Sequence, residues 1–378
     1  MSQHDHDLDL TCSGCGIAIQ TEEKSEPGYA PLNSVIEREN PVCQRCYRIK
    51  HYNEVAPVPL NNEGFQKILS DIGRRNALVV KVVDLFDFAG SWVKDIKKYV
   101  GKNPILLVAN KADLLPRSTN WERVENWLAH EVKKQGVAVD QIFLVSAKKR
   151  IEIENVKTAI EARVGNRDVY VVGTANVGKS TLINGLLNSF GEEEGAELTT
   201  SRYPGTTLST IRIDLPGHGS IIDTPGIMTT HRLTDLVSPK GLRDITPEEY
   251  INPKTFQLND NQALFLGGLA RVDYVEGPKQ GFTFYCANQL NVHRTKLENA
   301  DELYEKHLGT LLTPPYEGEE INPVLTNWVT HSFTLKSGHP QDIVISGIGW
   351  VTLRGQHYTT VKVHAPKGVD VHTRRALI

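Results

Sequence analysis

The sequence predicts an α/β fold: a mostly parallel sheet with helices on both faces, preceded by a small cysteine-bearing module and followed by a separate α+β domain. Three observations carry this. From about residue 61 to 235, short β-branched apolar runs alternate with helix-patterned segments, as they do where helical crossovers lay strands parallel. Four of the five cysteines form two C-x-x-C pairs near the N-terminus. From about residue 236 the texture changes to short strands with one helical stretch.

The N-terminal module, residues 1–60, has no long periodic segment. Cys12 with Cys15 and Cys43 with Cys46 supply four thiolates, which two C-x-x-C knuckles bring into the tetrahedral arrangement that Zn²⁺ prefers. The alternative is a redox C-x-x-C or unrelated thiols. Gly14 and Gly16 permit the tight turn of a knuckle. With so little core the module is expected to fold on the metal, which contributes about 10 to 16 kcal/mol in small zinc modules. RCYRIKHY (45–52) interleaves Arg45, Arg48 and Lys50 with Tyr47, His51 and Tyr52. That mixture suits phosphate contact and base stacking, and an exposed strand with ordinary charges has the same composition.

In the central domain, residues 61–235, the expected buried strands are 77–84, 104–110, 141–147 and 168–173, followed by 209–215 and 220–226. The segment 119–136 opens with a capping-box T-x-x-E, carries Val124, Trp127, Leu128 and Val132 on one face and stops at Gly136, which predicts a helix covering the sheet. In the last domain, residues 236–378, a helix is expected over 299–312, ended by Pro314 and Pro315. Cys286 and the histidines from 293 onward read as core or solvated residues.

The chain has 378 residues, enough for two or three domains, and a formal net charge of -3, which neither supports nor excludes a nucleic-acid partner. MSQHDHDLDL at the start has no apolar h-region, and no later run is long enough to span a bilayer. A soluble cytoplasmic protein with no membrane partner is expected.

GTANVGKS (173–180) lies between a strand and an apolar-periodic helix, the context that G-x-x-x-x-G-K-[ST] requires. Gly173 and Gly178 let backbone N–H groups wrap a phosphate at a helix N-terminus, Lys179 bridges β- and γ-phosphates, and Ser180 offers its hydroxyl to Mg²⁺. Asn176, Val177 and Thr181 complete the residues expected around the nucleotide. NKAD (110–113) ends another strand. The Asp113 carboxylate can accept from guanine N1–H and the 2-amino group, whereas adenine lacks that amine and presents a bare acceptor, so guanine is selected. Asn110 orients the loop and the Lys111 stem covers the ring. SAKK (146–149) supplies the companion: Ala147 N–H faces guanine O6, flanked by Ser146 and Lys148. DTPG (223–226) puts Asp223 where it holds Mg²⁺ through water, and Gly226 where its N–H meets the γ-phosphate. PGTT (204–207) brings a threonine over Mg²⁺, Thr207 in preference to Thr206. Asp84 and Asp87 lie at a strand end near the site and receive no role.

These motifs follow one another as NKAD, SAKK, phosphate loop, PGTT, DTPG. That is the familiar guanine-nucleotide order rotated as a circle cut between DTPG and NKAD. Strand ends lying side by side tolerate such a cut.

With its C-x-x-C pairs, rotated motifs and C-terminal domain, the whole chain resembles the circularly permuted P-loop GTPases of the YqeH type, bacterial ribosome-assembly factors. The resemblance implies GTP hydrolysis, association with the small ribosomal subunit or its rRNA, and a C-terminal domain similar to RNA- or peptide-binding modules. Ile227 stands where Ras-like switches have a water-orienting glutamine, so hydrolysis must be slow or completed by a partner or cation. Asn176 sits where related GTPases hold K⁺, which makes K⁺ a third expected ion beside Mg²⁺ and Zn²⁺. The competing reading is an RNA- or ribosome-binding scaffold in which nucleotide is mainly structural.

Overall fold

The computed structural model describes residues 10–13, 17–23, 28–36, 41–44, 46–47, 59–60, 69–194, 200–202, 211–214, 219–227, 231–335, 338–355 and 358–378. By contact they divide into two units: Met1–Leu85, Ser91–Ala112 and Lys133–Met228 form the first, and Phe86–Gly90, Asp113–Val132 and Thr229–Ile378 the second. This differs from a division by chain order at residues 60 and 235, because two short segments of the expected central domain, 86–90 and 113–132, make their contacts with the C-terminal part.

The first unit is built on a seven-stranded sheet of Ala77–Asp84 (β1), Ile105–Asn110 (β2), Gln141–Leu144 (β3), Asp168–Val172 (β4), Thr200–Arg202 (β5), Ile211–Asp214 (β6) and Ser220–Asp223 (β7). The spatial order is β3-β2-β1-β4-β7-β6-β5. The first five in that order are parallel, and β6 and β5 add antiparallel to the edge. Every residue of β1 and β2 is buried, which is why these strands read as continuous apolar runs rather than alternating ones. Successive side chains of β1 point to opposite faces. Leu78, Val80 and Val82 join a core with Val156 and Ile160 of helix Ile153–Val164 and with Leu182, Ile183 and Leu186 of helix Lys179–Glu194. From the alternate set, Lys81 is fully buried, its ammonium 3.0 Å above the Trp92 ring centroid and 3.4 Å from the Val93 carbonyl. Burial pushes its pKa well below the ordinary 10.5.

The motif order along the chain is rotated, yet the strands that carry the motifs lie side by side. The NKAD strand β2 and the SAKK strand β3 fall on one side of β4, which leads into the phosphate loop, and the DTPG strand β7 falls on the other. The domain is therefore a circular permutant of the P-loop GTPase fold.

In the second unit two five-stranded antiparallel sheets share a core of Leu264, Tyr274, Phe282, Phe284, Ile343, Val351 and Val363, among others. The helix expected over 299–312 covers only Ala300–His307. Gly309 has φ +86°, and Leu308 pairs with Leu312 across a turn, so the helix stops well before the prolines. His364 is a structural residue of this unit, held by Asp273 at 2.7 Å and Thr330 at 3.0 Å.

The helix expected from residue 119 spans Trp121–Lys134. Its cap differs from the expected T-x-x-E. Asn120 Oδ1 accepts from Arg123 N–H at 3.0 Å, while the Thr119 hydroxyl turns back to the Pro116 carbonyl at 2.6 Å. Within the second unit Trp127 packs edge-on against Phe88, lies 4.8 Å from the Arg374 guanidinium and donates its indole N–H to the Arg375 carbonyl at 2.9 Å. No helix among the described residues is long and apolar enough to cross a membrane.

Candidate functional site

The site in the first unit is assembled at the C-terminal ends of its parallel strands, where such sheets bind ligands. Gly173 follows β4 directly. A side chain there would collide with the Val82 carbonyl, a methyl lying 2.6 Å from it. The loop then turns at Asn176 and Gly178, with φ +63° and +89°, the left-handed region that asparagine and glycine tolerate. It closes at Lys179, the first residue of the 16-residue helix Lys179–Glu194, whose unpaired N–H groups and dipole favour an anion. Lys179 is buried, and its ammonium donates to the carbonyls of Gly173 and Thr174, each at 3.0 Å. Ser180 is half-buried, Thr181 exposed and Val177 buried in the core.

Asn110 ties three loops together. Its Nδ2 donates to the Val177 carbonyl in the phosphate loop at 2.9 Å, and its Oδ1 accepts from Ala147 N–H in the SAKK turn, also at 2.9 Å. A methyl on Gly178 would sit 2.3 Å from that amide nitrogen. The partners are 67 and 37 residues away in the chain. Lys111 follows with φ +68°, and its ammonium lies 2.6 Å from Asp84 Oδ2 at the end of β1. Asp113, the next residue but one, begins the segment that falls in the second unit and is half-buried in the short 3-10 turn Ala112–Leu114. In the SAKK turn Ser146 is buried and its Oγ accepts from Lys149 N–H at 3.2 Å, whereas Lys148 is exposed.

Asp223 ends β7, 3% exposed, between Val171 of β4 and Ile211 of β6. Gly226 lies against the phosphate loop: a methyl there would be 2.8 Å from Lys179 Nζ and 3.0 Å from Ala175 Cα, so a side chain would force the lysine and the loop to shift. Two residues to which the sequence alone assigns no role take part in this architecture. Thr224 is fully buried and donates its hydroxyl to the Val171 carbonyl at 2.7 Å, fixing the DTPG turn on β4. Asp84 is the other. Its position at the end of a buried strand was the available signal, but its partner depends on which strand lies alongside. Thr206 and Thr207 lie outside the described residues, as do Cys15, Gly14, Gly16, Arg45, Arg48, Lys50, His51 and Tyr52.

A family model described as 50S ribosome-binding GTPase matches residues 168–260, and one described as YqeH-like, C-terminal matches 279–377. YqeH of Bacillus subtilis is 49% identical over 98% of this chain and 99% of its own length. The chain belongs to the YqeH family. NO-associated protein 1 of Arabidopsis thaliana, chloroplastic/mitochondrial, is 29% identical over 97% of this chain and 76% of its own. The crystal structure of GNP-bound YlqF from T. maritima overlaps 44% of this chain and 60% of its own at 22% identity, with a TM-score of 0.30. As a YqeH-family GTPase the chain carries a domain type that binds GTP and GDP and hydrolyses GTP, in general with Mg²⁺.

Cys12, Cys43 and Cys46 are all buried, with their sulfurs within 4.8 Å of one another, a cluster that could hold a metal ion. Tetrahedral zinc with Zn–S bonds of about 2.3 Å needs sulfurs about 3.8 Å apart, so a small adjustment brings three ligands onto one ion. Cys43 N–H donates to Cys12 Sγ at 3.2 Å, an orientation that favours the thiolate. The donor set fits Zn²⁺.

Proposed function

We propose that the chain is a GTP-binding and GTP-hydrolysing molecular switch that acts in assembly of the small ribosomal subunit, through its rRNA or a pre-subunit particle in the cytoplasm. The observation that carries the nucleotide half is the pair of hydrogen bonds that join Asn110 to the phosphate loop and to the SAKK turn. A side chain that fixes these two loops against the NKAD strand is what a guanine site needs, because base and phosphates must be held in one register. In this reading Lys179 exchanges the Gly173 and Thr174 carbonyls for β- and γ-phosphate oxygens, and Gly226 N–H meets the γ-phosphate. Asp113 pairs with guanine N1–H and the 2-amino group, while Ala147 N–H takes O6. Ser180, Thr207 and Asp223 would hold Mg²⁺, which when bound neutralises charge between the β- and γ-phosphates. Cys15 is the fourth zinc ligand beside Cys12, Cys43 and Cys46. Ile227 stands where Ras-like switches have the water-positioning glutamine, and Asn176 would hold a K⁺ whose positive charge would lie against the phosphates. The basic and aromatic residues of 45–52 contact RNA.

The ribosomal half rests on the resemblance to the YqeH type, while the matched GTPase model's own description speaks of the 50S particle. The test therefore separates the subunits. The protein is sedimented with isolated 30S and 50S particles in a GTP analogue and in GDP, with phosphate release followed in K⁺ and in Na⁺. Co-sedimentation with 30S that depends on the nucleotide, with faster release in K⁺, is expected. Binding to 50S alone would overturn the choice of subunit, equal rates in the two salts would remove K⁺, and nucleotide retained without turnover would replace the switch with a scaffold.

A further inference from the structure

We infer that Asp84 is a positioning residue for the base-reading lysine, an inference that rests on the guanine-site reading above. Asp84 is the last residue of β1 and lies in parallel register with Asn110, the last residue of β2. Its backbone is fixed from two directions: Asp84 N–H donates to Ser91 Oγ at 2.9 Å, and the next amide, Leu85 N–H, donates to the Asn110 carbonyl at 2.9 Å. The carboxylate is thereby held where Lys111 emerges, and the ion pair closes at 2.6 Å with the aspartate side chain 9% and the lysine side chain 23% exposed. So short and sheltered a charge-assisted bond is stronger than a surface pair, which water and salt would weaken.

Lys111 needs such a partner. Its φ of +68° is a conformation that side-chain-bearing residues adopt reluctantly, and a lysine on a strand-end turn otherwise extends its ammonium into water. Tying the ammonium to β1 holds the four-carbon stem along the strand ends and leaves its apolar flank as the surface offered to the purine ring. It also commits the charge to Asp84, so Lys111 serves the base and not the phosphates, which fall to Lys179. Loss of Asp84 therefore weakens GTP and GDP alike, because the base is common to both. The loss is felt only while Lys111 is present, because Asp84 acts through it.

The experiment is a double-mutant cycle on the full chain, using GDP with a fluorescent ribose label and following its dissociation constant in wild type, D84N, K111A and the double variant. D84N is expected to raise the constant by about tenfold, as for removal of a charged hydrogen bond, and the label's GTP counterpart by the same factor. In the K111A background the same change is expected to alter it by less than about twofold. A D84N protein within about twofold of wild type, or an equal loss in both backgrounds, would overturn the inference, the latter because Asp84 would then act on the fold and not through Lys111. If D84N does not fold, D84E, which displaces the carboxylate by one methylene, takes its place in the same cycle, and the same two results would overturn the inference. The guanine-site reading fails by a different result: wild-type protein that holds labelled ADP as tightly as labelled GDP.

Discussion

At the scale of single residues the site is governed by close approach. Gly226 touches the phosphate loop so tightly that a methyl group would fall 2.8 Å from Lys179 Nζ and 3.1 Å from Ala175 N. G226A must push the DTPG turn away from the loop. It is expected to lower affinity for a non-hydrolysable GTP analogue by about tenfold, the worth of one charge-assisted bond to the γ-phosphate, while GDP affinity changes little; titration calorimetry with both nucleotides checks this. Lys81 gives a second prediction, on stability. Its pKa falls on folding from an ordinary 10.5 because burial disfavours the ammonium. Between the folded value and 10.5 the unfolded chain therefore binds more protons than the native one, and this residue makes stability rise with pH across that window. K81M, similar in volume and uncharged, is expected to stabilise the protein at neutral pH by about 1 kcal/mol or more. The gain shrinks as pH climbs toward 10.5, and urea unfolding of both proteins at neutral and alkaline pH reads the difference. An unchanged gap across that range would show that the Trp92 ring and the Val93 carbonyl compensate the charge fully.

At the scale of elements, the cysteine module and the parallel sheet stand on different forces. The described core of the module consists of Cys12, Ile19, Ala30, Val35, Cys43 and Cys46, so half of it is cysteine. Such a core cannot offset the entropy of ordering its loops without a metal. C43S, or a strong chelator, is expected to remove the bound zinc and open residues before 47 to proteolysis while the Asn110-centred site keeps its nucleotide. Metal content and limited digestion measure both, and a protease-resistant module without zinc would contradict the metal-dependent account. Acidification has the same direction, since protonated thiols release the ion. The sheet needs no such help, because β1 and β2 are buried on both faces.

At the scale of the whole molecule, the contact-based division has an experimental consequence. The segments 86–90 and 113–132 lie within the stretch 61–235 that chain order would isolate as one domain, yet their partners are in the C-terminal part. Phe86 packs on Trp350, Ser346 Oγ donates to Asp87 at 3.0 Å, and Trp127 is held by Arg374 and Arg375. A fragment 61–235 exposes all of these at once. Stripping one tryptophan of its packing costs about 3 kcal/mol or more in a core. The fragment is therefore expected to aggregate or to unfold at much lower denaturant than the full chain, as chromatography and urea titration would show. A monomeric fragment that folds cooperatively and holds GDP like the full chain would contradict this.

What was legible in the amino-acid sequence was local. The phosphate loop, NKAD, SAKK and DTPG are short patterns whose backbone needs are set within a few residues, and strands such as Ala77–Asp84 announce themselves because burial on both faces demands an unbroken apolar run. The rotated order of the motifs, and so the family, was also readable, since order is a property of the chain. The helix cap at Asn120 and the early stop at Leu308 were not, because neighbouring turns outcompeted the patterns that propensity favoured. Only tertiary structure could decide which partner Asp84 takes, what Gly226 packs against, and that Trp127 belongs with Arg375. Each depends on residues far apart in the chain meeting at one place. That meeting is decided by strand order and packing, about which a local pattern carries no information.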